Sequence, residues 1–156
     1  MSVKLLFASF ALSLVCFFAV NSDAQTGRKA VGAAEVNGTF RDYFSGKFKG
    51  NYNEIRILSI GRNKLRVAFN LTYPYVDATG EMAANVGEAD GTAIITGDTA
   101  TFSPDETTGC TITVKFVKPG TIRVTQNGAS ECAFGFNVSA DGTYRKTSGA
   151  KPRTSW

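Results

Sequence analysis

The chain has 156 residues, with 17 Lys and Arg against 13 Asp and Glu, a formal net charge of +4, three cysteines and no histidine. The missing histidine excludes Ser-His-Asp and Cys-His nucleophilic sites, a histidine general base and an H-E-x-x-H metal helix. The length is that of a single domain.

Lys4 precedes an apolar run from Leu5 to Val20, and "NSDA" then puts Ser22 and Ala24 at small-residue positions where a signal peptidase would cut before Gln25. Residues 1–24 are therefore expected to be a cleaved secretory signal, because the run falls short of the roughly 20 residues that cross a bilayer. Cys16 sits inside the apolar run, away from the cleavage point, which argues against a lipid anchor. Export implies a secreted or periplasmic protein. Residues 25–38, "QTGRKAVGAAEVNG", show neither helical nor strand periodicity and read as a flexible lead-in.

From 39 to 146 the pattern is strand-like almost throughout, and residues 147–156 read as a flexible tail. Phe48 and Tyr52 flank Gly50 in a first apolar stretch, and "EIRILSI" follows. In "KLRVAFNLTY" Leu65, Val67, Phe69 and Leu71 alternate with Lys64, Arg66, Ala68 and Asn70, the two-residue period of a strand with one wet face. Met82 to Ala89 is the nearest approach to a helical pattern, but it is short and contains Gly87. Further strands are expected at "GTAIITG", at Ala100 and Phe102, at Ile112, Val114 and Phe116, and at Ile122 and Val124. Phe134, Phe136, Val138 and Tyr144 share one parity, so a long last strand could carry aromatics inward unless "ADG" at 140–142 breaks it.

Turn signals divide these runs. "GRNK" begins at Gly61, Gly97 and Asp98 separate two extended runs, and "KPGT" at 118–121 has the Pro-Gly order of a type II turn. Connections this short require antiparallel neighbours. The expected fold is all-β: a single antiparallel domain of about eight short strands, with an up-and-down barrel favoured over a two-sheet sandwich because closure removes both edges.

Cleavage of the signal leaves Cys110 and Cys132, which in an oxidising compartment form a disulfide by default. A hairpin centred on Pro119 and Gly120 sets Cys110 opposite about residue 129, within three positions of Cys132. A metal site would want further ligands that a histidine-free chain lacks, and "PDETTG" at 104–109 does not match the spacing of a dedicated Ca²⁺ loop. No cofactor is expected.

Charge is segregated along the chain. Residues 28–66 hold nine cations and three anions, residues 77–106 seven anions and no cation, and residues 107–156 seven cations and two anions. In a barrel the acidic middle should form one flank, with the two basic segments meeting at the closure. Asn37, Asn70 and Asn137 head N-x-[ST] triplets, acceptors only in a eukaryotic secretory route.

The segment "GCTITVKFVKPGTIRVTQNGASECAFGFNVSADGTYRK", Gly109 to Lys146, resembles the carboxy-terminal half of small exported bacterial proteins without assigned activity. The resemblance rests on "CTI", "VTQNG", the second cysteine, "FGFNV" and "DGTYRK", and it implies no catalytic residue. "GKFKGNY" is similar, more loosely, to the Gly-x-aromatic element of lipocalins and avidins, although inward positions that are mostly Ile, Val, Leu and Phe favour a filled core. Exported bacterial inhibitors of lysozyme are similar in size and build, and an acidic segment would suit a basic hydrolase as partner.

These readings point to a non-enzymatic secreted or periplasmic binding protein with a charged outer surface at Arg66, Lys115, Arg123, Glu88 and Asp90, serving an inhibitor-like role toward a charged extracytoplasmic protein. The alternative is a lipocalin-like carrier of a small apolar ligand held among Phe48, Tyr52, Phe69, Phe116, Phe134 and Phe136. Neither nucleic acid nor stable membrane insertion is expected.

Overall fold

The computed structural model describes residues 30–104, 108–128, 132 and 134–154. The expected signal at 1–24, Asp105 and Glu106 of the "PDETTG" loop, and Trp156 lie outside them. Eight antiparallel strands close in chain order into an up-and-down barrel, so the barrel and not the sandwich is the fold. They are β1 (Gly38–Tyr43), β2 (Tyr52–Gly61), β3 (Lys64–Val76), β4 (Met82–Thr96), β5 (Thr99–Phe102), β6 (Thr111–Lys118), β7 (Thr121–Asn127) and β8 (Gly142–Ser148).

The alternation read from the sequence fills the interior. Leu65, Val67, Phe69 and Leu71 of β3 are buried, as are Ile112, Val114 and Phe116 of β6 and Ile122 and Val124 of β7. Phe69 stacks on Phe102 at 5.3 Å, and Phe40 meets Phe116 edge-on at 6.4 Å. Each of these large side chains contributes about 1.5–3 kcal/mol through removal from water.

The β6–β7 hairpin turns at Pro119 and Gly120, whose φ of +73° fits the second central position of a type II turn. Thr111 then pairs with Asn127, which brings Cys110 level with Gly128. Cys110 and Cys132 are disulfide-bonded, with Cα atoms 4.8 Å apart across 22 residues of chain.

Four boundaries differ from the sequence reading. Within the lead-in, residues 33–36 form one helical turn, α1 (Ala33–Val36), whose Val36 is buried in the core, and β1 begins at Gly38. At the other end β8 runs to Ser148, two residues past the expected limit. Met82 to Ala89 is the first half of β4, extended although its small residues hide the period. Nor is there one long last strand: residues 134–141 are irregular, Phe136 lies in a turn and is 80 % exposed, and β8 starts only at Gly142.

β3 and β4 outrun their neighbours. β3 pairs with β2 only as far as Asn70 opposite Glu54, yet with β4 it continues to Val76 opposite Met82. β4 meets β5 only from Ala93 to Thr96. Leu71–Val76 and Met82–Gly87 therefore form a two-stranded ribbon about 20 Å long beyond the shared sheet.

Candidate functional site

The charged residues singled out in the sequence do not form one surface. Arg66 on β3 pairs through Nη2 with Asp90 Oδ2 on β4, so a cation of the first basic segment offsets an anion of the acidic one. Glu88, two residues along β4, accepts a 3.4 Å hydrogen bond from Asn70 Nδ2. Lys115 and Arg123 sit opposite each other on β6 and β7, separated from the first group by β5. The basic segments do meet at the closure, where Arg41 of β1 faces Arg145 of β8.

The six aromatics of the carrier reading do not line one chamber either. Phe69 and Phe116 are buried among the packed core side chains. Phe134 packs on β4, where the Cβ that Gly87 lacks would fall 2.8 Å from Phe134 Cδ1. Phe48 lies in a 3₁₀ turn, η1 (Gly46–Phe48), outside the barrel; Tyr52 begins β2 on the outer face; Phe136 points to solvent. Parity assigns faces only within a strand, and Phe48 and Phe136 lie in none.

Exposure concentrates instead on the ribbon. Tyr73, Tyr75, Val76, Met82 and Val86 are all exposed although large and apolar. Its tip is pre-ordered. Asp77 Oδ1 accepts hydrogen bonds from the Thr79 amide (2.8 Å), the Thr79 hydroxyl (2.6 Å) and the Glu81 amide (3.0 Å). The hydroxyl first, then these amides, hold the Asp77 carboxyl below its usual range. The ribbon's base is braced on one side by the irregular segment: Gly135 N donates to Val86 O (3.2 Å), and Asn85 Nδ2 donates to Phe136 O (2.7 Å).

Each face of the ribbon borders a hollow. On the inner side a cleft of about 390 Å³ runs among Tyr73, Tyr75, Asn85, Phe136 and Asn137. On the outer side a groove of about 560 Å³ runs between Phe48 and Tyr52 on one bank and Pro74 and Met82 on the other, over Glu54, Arg56, Asn70 and Thr72. Glu54 is buried and accepts from Arg41 Nε (2.7 Å) and Arg56 Nε (2.8 Å). The Arg41 guanidinium lies 4.0 Å over the Tyr52 ring, and Tyr43 meets that ring edge-on. The sequence contained one signal for this region: Tyr73 and Tyr75 continue the inward parity of β3 past the length that "EIRILSI" can cover, with Pro74 marking an edge.

Among the described residues there is no group of three His, Cys, Asp or Glu able to hold a metal ion, and no helix long and apolar enough to cross a membrane. Comparison with protein-family models, with curated proteins and with solved structures finds no match.

Proposed function

We propose that this chain is a non-enzymatic, secreted or periplasmic binding protein that holds a basic protein partner through the β3–β4 ribbon. The observation that carries the reading is the ribbon itself: a pre-ordered, two-stranded projection with exposed Tyr73, Tyr75, Val76, Met82 and Val86. Its charge is one-sided. From 77 to 90 the chain holds Asp77, Glu81, Glu88 and Asp90 and no cation, and Arg66 offsets only Asp90. Exposed aromatic and Met side chains beside acidic ones suit a partner cleft with basic walls and an apolar floor, which is the inhibitor-like arrangement. The filled interior supports action from the outside. So does the placement of Arg41, Arg66, Lys115 and Arg123 on the outer wall, the reverse of a barrel whose outside meets lipid.

The test is capture from the source's extracytoplasmic fraction with wild-type protein and with the Glu81→Lys, Glu88→Lys variant, each at low and high salt. A basic protein should be retained by wild type, released by salt, and lost in the variant. Equal capture by both proteins, or the absence of any salt-sensitive basic partner, contradicts the proposal.

A further inference from the structure

The inner cleft of the ribbon narrows the chemistry of the partner. Its volume of about 390 Å³ lies within the range of ligand sites, roughly 300–1,000 Å³. Tyr73, Tyr75 and Phe136 line it with three exposed rings, Asn85 and Asn137 add two side-chain amides, and none of these five residues is charged. Both banks are fixed. Tyr73 and Tyr75 are paired across the ribbon with Asn85 and Ala83. Opposite them, Gly135 N and Phe136 O are tied to Val86 O and Asn85 Nδ2, Val138 N donates to Gly135 O (2.9 Å), and Val138 is buried. Asn137 takes a left-handed φ of +61°, which asparagine adopts more readily than most residues. The Phe136 ring is thereby presented to solvent from an anchored backbone.

An added β-strand is not what this surface accepts. On the β3 side the Thr72 amide is already bonded to Asn53 Oδ1 (2.7 Å), and Pro74 has no N–H. On the β4 side the Val86 carbonyl holds Gly135 N, whose backbone is so close that a Cβ on Gly135 would fall 2.5 Å from Val86 O. Recognition therefore runs through side chains. A polyproline helix needs no backbone pairing: its carbonyls stay open to donors such as the Tyr hydroxyls and the Asn137 amide, and its prolines pack on aromatic rings. The spacing agrees. Tyr73 and Tyr75 stand two residues apart on one face of β3, about 7 Å, and two residues of a polyproline helix advance about 6 Å. The tip begins two residues past Tyr75, with Asp77 fixed by its three hydrogen bonds and Glu81 exposed, and no Lys or Arg occurs between Arg66 and Lys115. A cation on the ligand answers this charge, whereas a neutral sugar, the other ligand that stacks on exposed rings, carries none. We infer that the inner cleft binds a proline-rich segment of the partner in the polyproline conformation, its prolines packed among Tyr73, Tyr75 and Phe136 and a Lys or Arg beyond them at the Asp77–Glu81 tip. This rests on the reading of the ribbon as the protein-binding element and adds the chemistry of the segment that the ribbon takes.

Titration calorimetry of the full chain tests this with a proline octamer carrying an arginine at each end, against the same octamer without arginines, a glycine-serine octamer with the same arginines, and a neutral chitin hexamer. The arginine-flanked proline octamer should bind saturably, and Tyr75→Ala or Phe136→Ala, both at exposed side chains, should weaken it about tenfold or more. Glu81→Lys should weaken it too but leave the uncharged octamer unaffected, and Lys115→Ala, outside the cleft, should change nothing. Equal binding of the glycine-serine peptide overturns the proline assignment, and equal binding of the uncharged octamer overturns the part given to the tip. Saturable binding of the chitin hexamer in the peptide's place overturns the peptide assignment. No saturable binding of the flanked octamer, or binding indifferent to both Tyr75→Ala and Phe136→Ala at unchanged melting temperature, overturns the site. If Tyr75→Ala still captures a basic protein that the Glu81→Lys, Glu88→Lys variant loses, this inference fails while the ribbon reading stands.

Discussion

Lys146 does more for closure than its place among surface cations suggests. Its ammonium donates to the carbonyls of Ala34 (3.1 Å), Glu35 (2.6 Å) and Asn37 (2.8 Å), and it lies 5.2 Å from the Phe40 ring centre. One side chain of β8 thereby satisfies the orphan carbonyls at the end of α1 and seats Val36 in the core. Lys146→Met should cost about 2 kcal/mol in urea unfolding, since charge-assisted bonds are worth more than neutral ones. Amide exchange at 33–37 should accelerate with it. At the opposite end of β1, Asp42 faces the interior beside Asn53, and burial raises its pKa above the ordinary carboxylate value, opposed by the Thr143 amide. A carboxyl whose folded pKa is raised loses stability as pH climbs from the unfolded value through the folded one. Asp42→Asn should therefore raise the melting temperature at about pH 7 and leave it nearly unchanged at about pH 3. Tyr144, buried and donating to Ala140 O at 3.0 Å, has its pKa raised by burial and then by the Asp42 charge. Stability should accordingly fall as pH rises above about 10, where the tyrosine ionises first in the unfolded chain.

β4 shows how an element can be plain in space and faint in sequence. Its inward positions include Ala83, Asn85, Gly87, Ala89, Gly91 and Ala93, small residues that give no hydrophobic alternation. They are small because rings occupy the space: a Cβ on Gly91 would fall 2.8 Å from Phe102 Cε2, and one on Gly87 2.8 Å from Phe134 Cδ1. Gly87→Ala should cost about 1–3 kcal/mol by overpacking, and Phe134→Leu should recover part of that loss in a double-mutant cycle. Purely additive costs would show that Phe134 does not rest on Gly87. β3 and β6 were legible for the opposite reason, since Leu65–Leu71 and Ile112–Phe116 alternate large apolar residues with polar ones. The disulfide was legible too, because the Pro119–Gly120 turn fixes the register of both cysteines. The outer groove was not. Arg41, Glu54 and Arg56 become one cluster only through the β1–β2 register, and the ribbon exists only because β2 and β5 stop short of β3 and β4.

At the scale of the whole molecule, a solid barrel serves as a mount for its exposed parts. The Cys110–Cys132 bond ties the start of β6 to the irregular segment that braces the ribbon through Gly135 and Phe136. Replacing both cysteines by Ala should cost about 2–5 kcal/mol in denaturant unfolding. The accompanying rise in exchange should appear at 83–87 as well as near the bond, since the brace is loosened with it. On the proposed function, a partner sits on the ribbon. Hydrogen–deuterium exchange of the chain alone and with the basic protein that the proposed capture would yield measures this directly. Protection confined to 71–87, with β6 and β7 around Lys115 and Arg123 unchanged, is the predicted footprint; protection centred on Lys115 and Arg123 with the ribbon unaffected would contradict it.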